Sequence, residues 1–568
     1  MELKEERIEI LFNGEYQREF TIPIYQRPYS WTTDQCEQLW DDLKEFTSSS
    51  EDNQENKYFL GSIVTFKNEN NKHEVIDGQQ RLTTLTLLLK AFEIKTADKE
   101  NIKEIKKCLW KLDKHNKPSD NLRIDSTVAY QDDKNVFEDI LKLDPDNDDI
   151  SKKIKEIKTQ KANKHYIDNF EYFVNKINTS LTESRFITEF ADMLFGILNN
   201  CIVLHIKADN QEDALRIFST LNNRGLPLAD ADIFKAKMYD NSDNRETFIK
   251  DWQYLEKKCD IFEEKDNNPI DELFTMYMYY LRTKNNIKSS TTIGLRNFFE
   301  TEQKDVLTQK EKIKETIDNL KLLVDFWDKI YNENFDNKET QKRLNVLKYA
   351  PNKMWKYIVS VYYMFNQENS EKEFVQFLDK TIAFFWGATV NNITLGSCKG
   401  PIFKAMANIK NKENIELVLP NETNEENTRN SLEIYSFTNG RPITRAMLMW
   451  WSVLEKKEDL NTATKYDIEH IYSRNFQKEL EGLEDNKYLE FLGNKSLLEK
   501  RVNILASDNG FEVKCRNYYK YSKIEEMQNI GEKYKYTFGQ EEIIKRNDEM
   551  IDAFIQFLKD NNVLATTK

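Results

Sequence analysis

Glycine and proline are the residues that interrupt helices, and this chain holds few of either. There are 15 Gly and 10 Pro in 568 residues, under half the roughly 12% share of an ordinary protein. Long stretches therefore run without a breaker, and apolar residues recur in them at three- and four-residue spacing. The spacing predicts helices at Leu273–Leu281, Ile317–Ile330, Met354–Phe365, Phe374–Trp386 and Ile443–Leu454. A multidomain, mainly α protein follows, of about three or four domains at roughly 100–200 residues each. Collagen-like, Gly/Pro-rich disordered and small disulfide-stapled classes are excluded.

The opening residues Met1–Arg7 are charged, with no apolar core, so no signal peptide is expected. The longest apolar stretches, such as Leu85–Leu89 and Ile382–Ala388, fall short of the ~20 residues that span a bilayer. The six cysteines form no Cys-x-x-Cys pair, which fits reduced thiols and gives no zinc spacing. The expectation is a cytoplasmic protein without a membrane partner. The formal charge of −14 argues against a protein coated in nucleic acid, yet a local basic cleft can still hold phosphates.

Residues 1–239 read as an α/β domain. A helix is expected over Glu37–Phe46, strands over Tyr58–Phe66, His73–Ile76 and Cys201–Lys207, and helices over Leu82–Phe92 and Glu212–Leu221. Asn222–Gly225 reads as a helix stop, with Asp230 capping the next helix. Residues 240–455 read as a helical bundle, in which Asn421–Asn430 has no apolar residue and is expected to be a loop or disordered insert. Residues 456–568 change character and read as a third domain.

Glu74–Thr84 sets the polar pentapeptide Asp77-Gly78-Gln79-Gln80-Arg81 between a strand and a helix. Gly78 permits a tight turn, and the first helical N–H groups favour an anion in front of them. Arg81 supplies a planar fork suited to phosphate, with Gln79 and Gln80 as neutral donors. Asp77 can hold a metal, or orient Arg81 or a water. The plainer alternative is a hairpin-to-helix turn in which Asp77 caps and Arg81 pairs with a surface acid. Two further segments bear on this. Ile22–Trp31 places Gln26 and Arg27 among Tyr25, Tyr29 and Trp31, and Phe218–Leu228 brings Asn222, Asn223 and Arg224 to a helix end.

Together the three segments resemble the N-terminal domain of GmrSD-type, modification-dependent (type IV) restriction endonucleases. That family carries an Ile-Pro-x-Tyr-Gln-Arg-x-Tyr-x-Trp opening, an Asp-Gly-Gln-Gln-Arg box and a Leu-Asn-x-Arg-Gly-x-Pro-Leu segment. The resemblance implies a ParB/sulfiredoxin-like fold in which Asp77, Gly78, Gln79, Gln80 and Arg81, with Arg27, Asn222 and Arg224, bind and hydrolyse a nucleoside triphosphate (ATP, GTP or another). It also implies that Tyr25, Gln26, Tyr29 and Trp31 help to sense modified DNA.

A second constellation begins at Tyr466–Tyr472, where His470 follows Asp467 and Glu469. Phe491–Leu498 with its Gly493-Asn494 turn comes next, then Asn503, Lys514 and Arg516. Breaking a phosphodiester needs a base for water, and imidazole titrates in the right range. Carboxylates with an amide oxygen are hard ligands for Mg²⁺ or Mn²⁺. A hydrogen-bonded surface Glu-His pair is the plain alternative.

This arrangement resembles the HNH (His-Me finger, ββα-metal) domain of the same family. The resemblance makes His470 the general base, Asn494 the orienting residue, Asn503 the third-motif residue and Lys514 a phosphate contact, with Glu469 and Asp467 as candidate ligands of a divalent metal. The chain departs from the pattern in having no second histidine in the third motif and Tyr472-Ser473 after His-Ile, where the family has Pro. Basic residues over Lys495–Lys523, interleaved with Tyr518, Tyr519 and Tyr521, suit a DNA groove or equally a solvated helix face. His205, in an apolar strand, reads as a core residue.

The function so implied is a nucleotide-dependent endonuclease against foreign, modified double-stranded DNA, with a homodimer possible through the helical middle. The alternatives are a nucleotide-driven regulatory or DNA-binding protein whose nuclease site has decayed, and an RNA-directed toxin nuclease.

Overall fold

The structure, a computed structural model, describes residues 1–568 except 14–17, 24, 25, 27, 49–56, 69, 97, 113–114, 116–117, 127–130, 145, 147–148, 161–163, 182–185, 212, 215–216, 218–228, 263–267, 288–292, 369, 421–422, 461–463, 475–482 and 566–568. It is mostly helical, with a small mixed sheet. The chain divides into two compact units, Met1–Ile249 and Lys250–Lys568.

In the first unit the strands are β1 (Glu2–Arg7), β2 (Phe20–Ile22), β3 (Tyr58–Lys67), β4 (His73–Asp77), β5 (Trp110–Leu112), β6 (Pro118–Leu122), β7 (Ile124–Ser126) and β8 (Cys201–Ala208). Six of them form one sheet in the order β1-β8-β3-β4-β2-β7, while β5 and β6 pair separately. β3 and β4 form an antiparallel hairpin; β3 runs parallel to β8, and β2 parallel to both β4 and β7. Alternation along β8 sends Cys201 and Val203 into the main core, and Ile206 and Ala208 into a smaller cluster with Val64, Phe66 and Ile76. The helix Gln79–Lys95 that leaves β4 is buried nearly all round, which is why its sequence shows an unbroken Leu-rich run and no polar stripe.

The predicted helices at 37–46, 82–92 and the strands at 58–66, 73–76 and 201–207 are present, each extended by a few residues. Helix Glu212–Leu221 and the stop at Asn222–Gly225 fall mostly outside the described residues. The next helix, Asp230–Asn241, has Ala229 at its N-cap with no side-chain cap. Asp230 therefore sits in the first turn, where it complements the helix dipole, and is not the cap expected of it.

His205 is buried as expected, but it is not an isolated core residue. Its Nδ1 lies 3.0 Å from Glu6 Oε2 and its Nε2 2.9 Å from Thr65 Oγ1, and Arg18 donates to Glu6. Buried charges are kept when paired in this way.

In the second unit, helices Pro269–Lys284, Lys310–Tyr331, Met354–Phe365, Glu371–Val390, Leu395–Asn411 and Pro442–Trp450 pack through aromatic side chains. Examples are Tyr362 on Phe377 at 4.1 Å and Phe326 on Tyr363 at 3.9 Å between ring centres. Residues 451–455 continue the last helix as a wider π turn.

Of the polar stretch 421–430 expected as a loop, residues 425–430 instead begin helix Glu425–Ile434, while 421 and 422 lie outside the described residues. Asn424 accepts from Asn427 N–H at 2.8 Å, glutamates fill the first turn, and Thr428 and Leu432 are buried. Cap and dipole residues supply the polarity that a hydropathy reading takes for disorder. β9 (Tyr466–His470) and β10 (Lys495–Glu499) pair antiparallel, and helix Lys500–Ala506 follows at once. The last helix, Gln540–Asp560, packs on residues 492–494 and also on helices Glu371–Val390 and Glu425–Ile434. The strand pair and the helical bundle thus lie in one compact unit.

All six cysteines are buried and free. Among the described residues no helix is long and apolar enough to cross a membrane.

Candidate functional site

Two polar sites correspond to the two constellations. In the first unit Asp77 closes β4 and Gly78 turns the chain with φ of 90°, a left-handed conformation that a side chain would resist. A Cβ there would also meet Ile63 Cγ1 at 2.9 Å. Arg81 folds back over Gly61, another left-handed residue at φ 106°, and donates to the Ser62 carbonyl at 2.9 Å. A Cβ on Gly61 would lie 2.8 Å from Arg81 Nη2, so the glycine makes room for the guanidinium. Asp77 accepts from Gly78 N–H at 2.8 Å. Burial raises its pKa, and the charge of Arg81 acts against that rise.

Gln79 and Gln80 are not free donors. Gln80 accepts from the backbone of Ser30 (2.8 Å) and Trp31 (3.2 Å) and donates to Pro28 O (3.1 Å). Gln79 donates to Gln26, which in turn donates to Ile76 O. The two glutamines bolt Gln26 and residues 28–31 onto the helix start, where the sequence pattern predicts donors facing a ligand.

Tyr29 is also a core residue. It is 4% exposed, its hydroxyl is bonded to Thr84 and Asn169, and its ring packs on Tyr166. A ring so placed offers no face to DNA. Gln26 is buried, and Trp31 is half-buried against the core. Tyr25, Arg27, Asn222 and Arg224 lie outside the described residues. Asp77, Gly78 and Arg81 remain as the part of this loop with chemistry to offer.

In the second unit the β9–β10 register places His470 opposite Lys495. Lys495 is fully buried and donates to His470 Nε2 (3.0 Å), Glu490 (2.7 Å) and Asn439 (2.7 Å). Arg474 reaches Glu490 from the solvent side at 2.5 Å. Burial, then the charges of Lys495 and Arg474, push the His470 pKa down to about 3, so the imidazole is neutral. Its side chain keeps 12% exposure, among polar neighbours. Glu490 is held below its usual range because Lys495 and Arg474 outweigh the upward push of burial.

Asn494 is fully buried. Its side chain accepts from Tyr472 N–H (2.7 Å) and donates to the carbonyls of Tyr472 and Leu489 (3.2 Å each). It therefore fixes the chain just past His470, as an orienting residue would. Asn503 is half-buried on helix Lys500–Ala506.

Strand alternation turns Glu469 away from His470. Glu469 accepts from Lys514 (2.6 Å) and Tyr519 (2.5 Å), both buried, and Lys514 also donates to the His470 carbonyl at 2.8 Å. Burial raises the Glu469 pKa against the pull of Lys514. This carboxylate thus already has a cation. Among the described residues no group of three or more His, Cys, Asp and Glu side chains suits a metal ion. Glu469 is thus engaged by Lys514 and Tyr519, while Asp467 lies half-buried two residues before it on β9, and the chemistry below is derived from the chain's own residues.

Of the basic stretch 495–523, Lys495 and Lys514 point inward and Tyr519 is buried, whereas Lys500, Arg501, Lys520, Lys523 and Tyr521 are exposed.

Sequence reading missed four contributors. Lys495 was counted as a surface cation, and Glu490, Asn439 and Arg474 carried no motif. It missed Arg546 as well, a fully buried guanidinium on the last helix that donates to Gly493 O (2.9 Å) and Lys495 O (2.8 Å) and pairs with Glu526. A lone Arg on the apolar side of an amphipathic helix was the available signal.

The architecture and these two separate polar sites define a mostly helical, multidomain protein whose smaller parts carry the polar chemistry. The family model "GmrSD restriction endonuclease, N-terminal domain" matches residues 8–239, and "GmrSD restriction endonucleases, C-terminal domain" matches residues 421–553. The chain belongs to the GmrSD restriction endonuclease family, and its role is that of a restriction endonuclease in defence, with DNA as substrate. Comparison with curated proteins gives no match.

Proposed function

We propose that this protein is a nucleotide-controlled endonuclease that cuts modified double-stranded DNA at His470. The observation that carries the reading is a neutral, partly open imidazole with Lys495 at 3.0 Å and Arg474 close by on Glu490, an environment suited to a phosphate. An anion seated there offsets the cations that depress His470 and raises its basicity. His470 then takes a proton from water, Asn494 holds the strand end that carries it, and the surrounding cations meet charge on the phosphate. The order β9–β10–helix supports reading this part as a ββα nuclease domain.

In the first unit the Asp77–Arg81 turn takes the triphosphate, with Arg81 as phosphate contact and Asp77 orienting it or a water. Arg27, Asn222 and Arg224 belong to the same proposal by family resemblance, as do Tyr25 and Trp31 for sensing the DNA. Nucleotide occupancy at this turn would govern cutting at His470, a sensible restraint on a nuclease inside a cell.

The test is cleavage of modified and plain DNA by purified protein, with and without ATP and GTP, for wild type and His470→Ala. Equal cutting with and without every nucleotide removes the control; cutting that survives His470→Ala removes the base. The engagement of Glu469 by Lys514 favours one second reading, a nucleotide-driven DNA-binding regulator with a decayed nuclease site. In that case wild type binds DNA and leaves it intact under all these conditions.

A further inference from the structure

Lys495 is more than a structural ion-pair partner. Its three ammonium protons meet three acceptors, Glu490 Oε2, Asn439 Oδ1 and His470 Nε2. Glu490 is shared, since Arg474 also pairs with that carboxylate, at 2.5 Å. The lysine is held from behind as well, because Arg546 grips its carbonyl at 2.8 Å. An ammonium fixed 3.0 Å from the nitrogen of a base is placed to hand a proton to that base or to whatever displaces it. Buried lysines give up a proton more readily than exposed ones, and burial acts on Lys495 in that direction. An Arg at the same point would carry charge but no transferable proton.

We propose that Lys495 is a second catalytic residue, the general acid that protonates the leaving oxygen while His470 acts as base. The proposal rests on the nuclease reading above. On arrival of the phosphodiester, Lys495 leaves Nε2 for the leaving oxygen, which opens the Nε2 lone pair. Water gives a proton to Nε2 as its oxygen bonds to phosphorus. The bond from phosphorus to the leaving oxygen breaks, and that oxygen keeps the electron pair and takes a proton from Nζ. The proton on Nε2 then crosses to the neutral Nζ and restores the resting pair. One water is consumed, one phosphate monoester and one hydroxyl are formed, and no other reactant is needed.

The test uses the full chain and two forms of one duplex that wild type cuts: the ordinary form, and a form with sulfur in place of the leaving oxygen. A thiolate leaves without being protonated, so a missing general acid is forgiven on the sulfur duplex. Lys495→Met is expected to slow cutting of the ordinary duplex by about 10²–10⁴-fold and to stay within about tenfold of wild type on the sulfur duplex. That second activity also shows that the variant is folded. Lys495→Arg, which keeps the charge, is expected to fail on the ordinary duplex and to cut the sulfur one. His470→Ala is expected to fail on both.

Equal loss on both duplexes for Lys495→Met, or no loss on either, overturns the general-acid role and leaves the nuclease reading standing. So does recovery of ordinary cutting by Lys495→Arg. Survival of cutting on both duplexes in His470→Ala overturns the assignment of His470 as base and this proposal with it.

Discussion

Gly493 is where the turn before β10 meets the last helix, and the contact leaves no room for a methyl group. A Cβ built there lies 2.3 Å from Ile543 O, 2.5 Å from Asn547 N and 2.9 Å from Asn547 Cα. All three are helix backbone, so no side-chain rotamer relieves the clash. Restoring ordinary contact, about 3.4 Å, requires a shift of roughly 1 Å between turn and helix. The same spot is pinned by the Arg546 bonds to Gly493 O and Lys495 O and by Gly493 N–H donating to Asn547 Oδ1 at 3.2 Å. Gly493→Ala must therefore either strain the backbone or break charge-assisted hydrogen bonds. Overpacking alone costs about 1–3 kcal/mol, and losing one bond to a buried guanidinium adds about 1.5–3 kcal/mol. We expect a loss of roughly 3–5 kcal/mol in the second unit, read by calorimetry as a fall in its melting transition. Cutting should be lost too, because Asn494 and Lys495 ride on this turn. Gly440→Ala is the control: nothing lies within 4 Å of its Cβ position, so its melt should match wild type. A Gly493→Ala melt indistinguishable from the control would refute the packing argument.

The first unit should weaken in acid by a predictable route. Burial, then the neighbouring His205, push the His73 pKa down to about 3. The unfolded chain takes a proton near 6.5 that the folded one refuses, so stability falls as pH drops from about 6.5 towards 3, by at most ~1.4 kcal/mol per unit. Glu6, held at about 2 because His205 and Arg18 outweigh its burial, adds a second loss as pH falls from 4.5 towards 2. Denaturant midpoints between pH 7 and 4 should fall less steeply in His73→Gln; parallel slopes would contradict the assignment. Lys514→Met strands Glu469 and Tyr519 in a buried site and should cost about 3–5 kcal/mol. Adding Glu469→Gln should recover more than half of that, and simple additivity of the two losses would show that they do not interact. Gly61→Ala should push the Arg81 fork off its seat and weaken ATP and GTP binding as much as Arg81→Ala does. Full nucleotide turnover in both variants would remove Arg81 from the site.

Local structure was legible where one period dominated. The Leu-rich helix after β4, the β3–β4 hairpin and the bundle helices follow from apolar spacing and scarce breakers. Asn424–Ile434 was not legible, because a capped helix with a polar first turn has the composition of a loop. Candidate chemistry was legible wherever a motif is contiguous, as at Asp77–Arg81 and Asp467–His470. Partners were not. Whether Gln80 faces a ligand or the Pro28–Trp31 backbone depends on how two segments fifty residues apart dock. That Lys495 serves His470 depends on the β9–β10 register, and a shift of one residue would turn it to the other face. Arg546 supports the turn from far along the chain, and its place on the apolar side of its helix marks it as engaged without naming its partner.

The placement of Arg546 also sets an order of assembly. Every backbone carbonyl it grips near the imidazole is synthesised before it, and at about 5–20 residues per second the ribosome needs some seconds to travel from that turn to the arginine. Through that interval the hairpin lacks its buttress, so the turn that carries Asn494 and Lys495 stands unsupported in a half-made chain until helix Gln540–Asp560 docks.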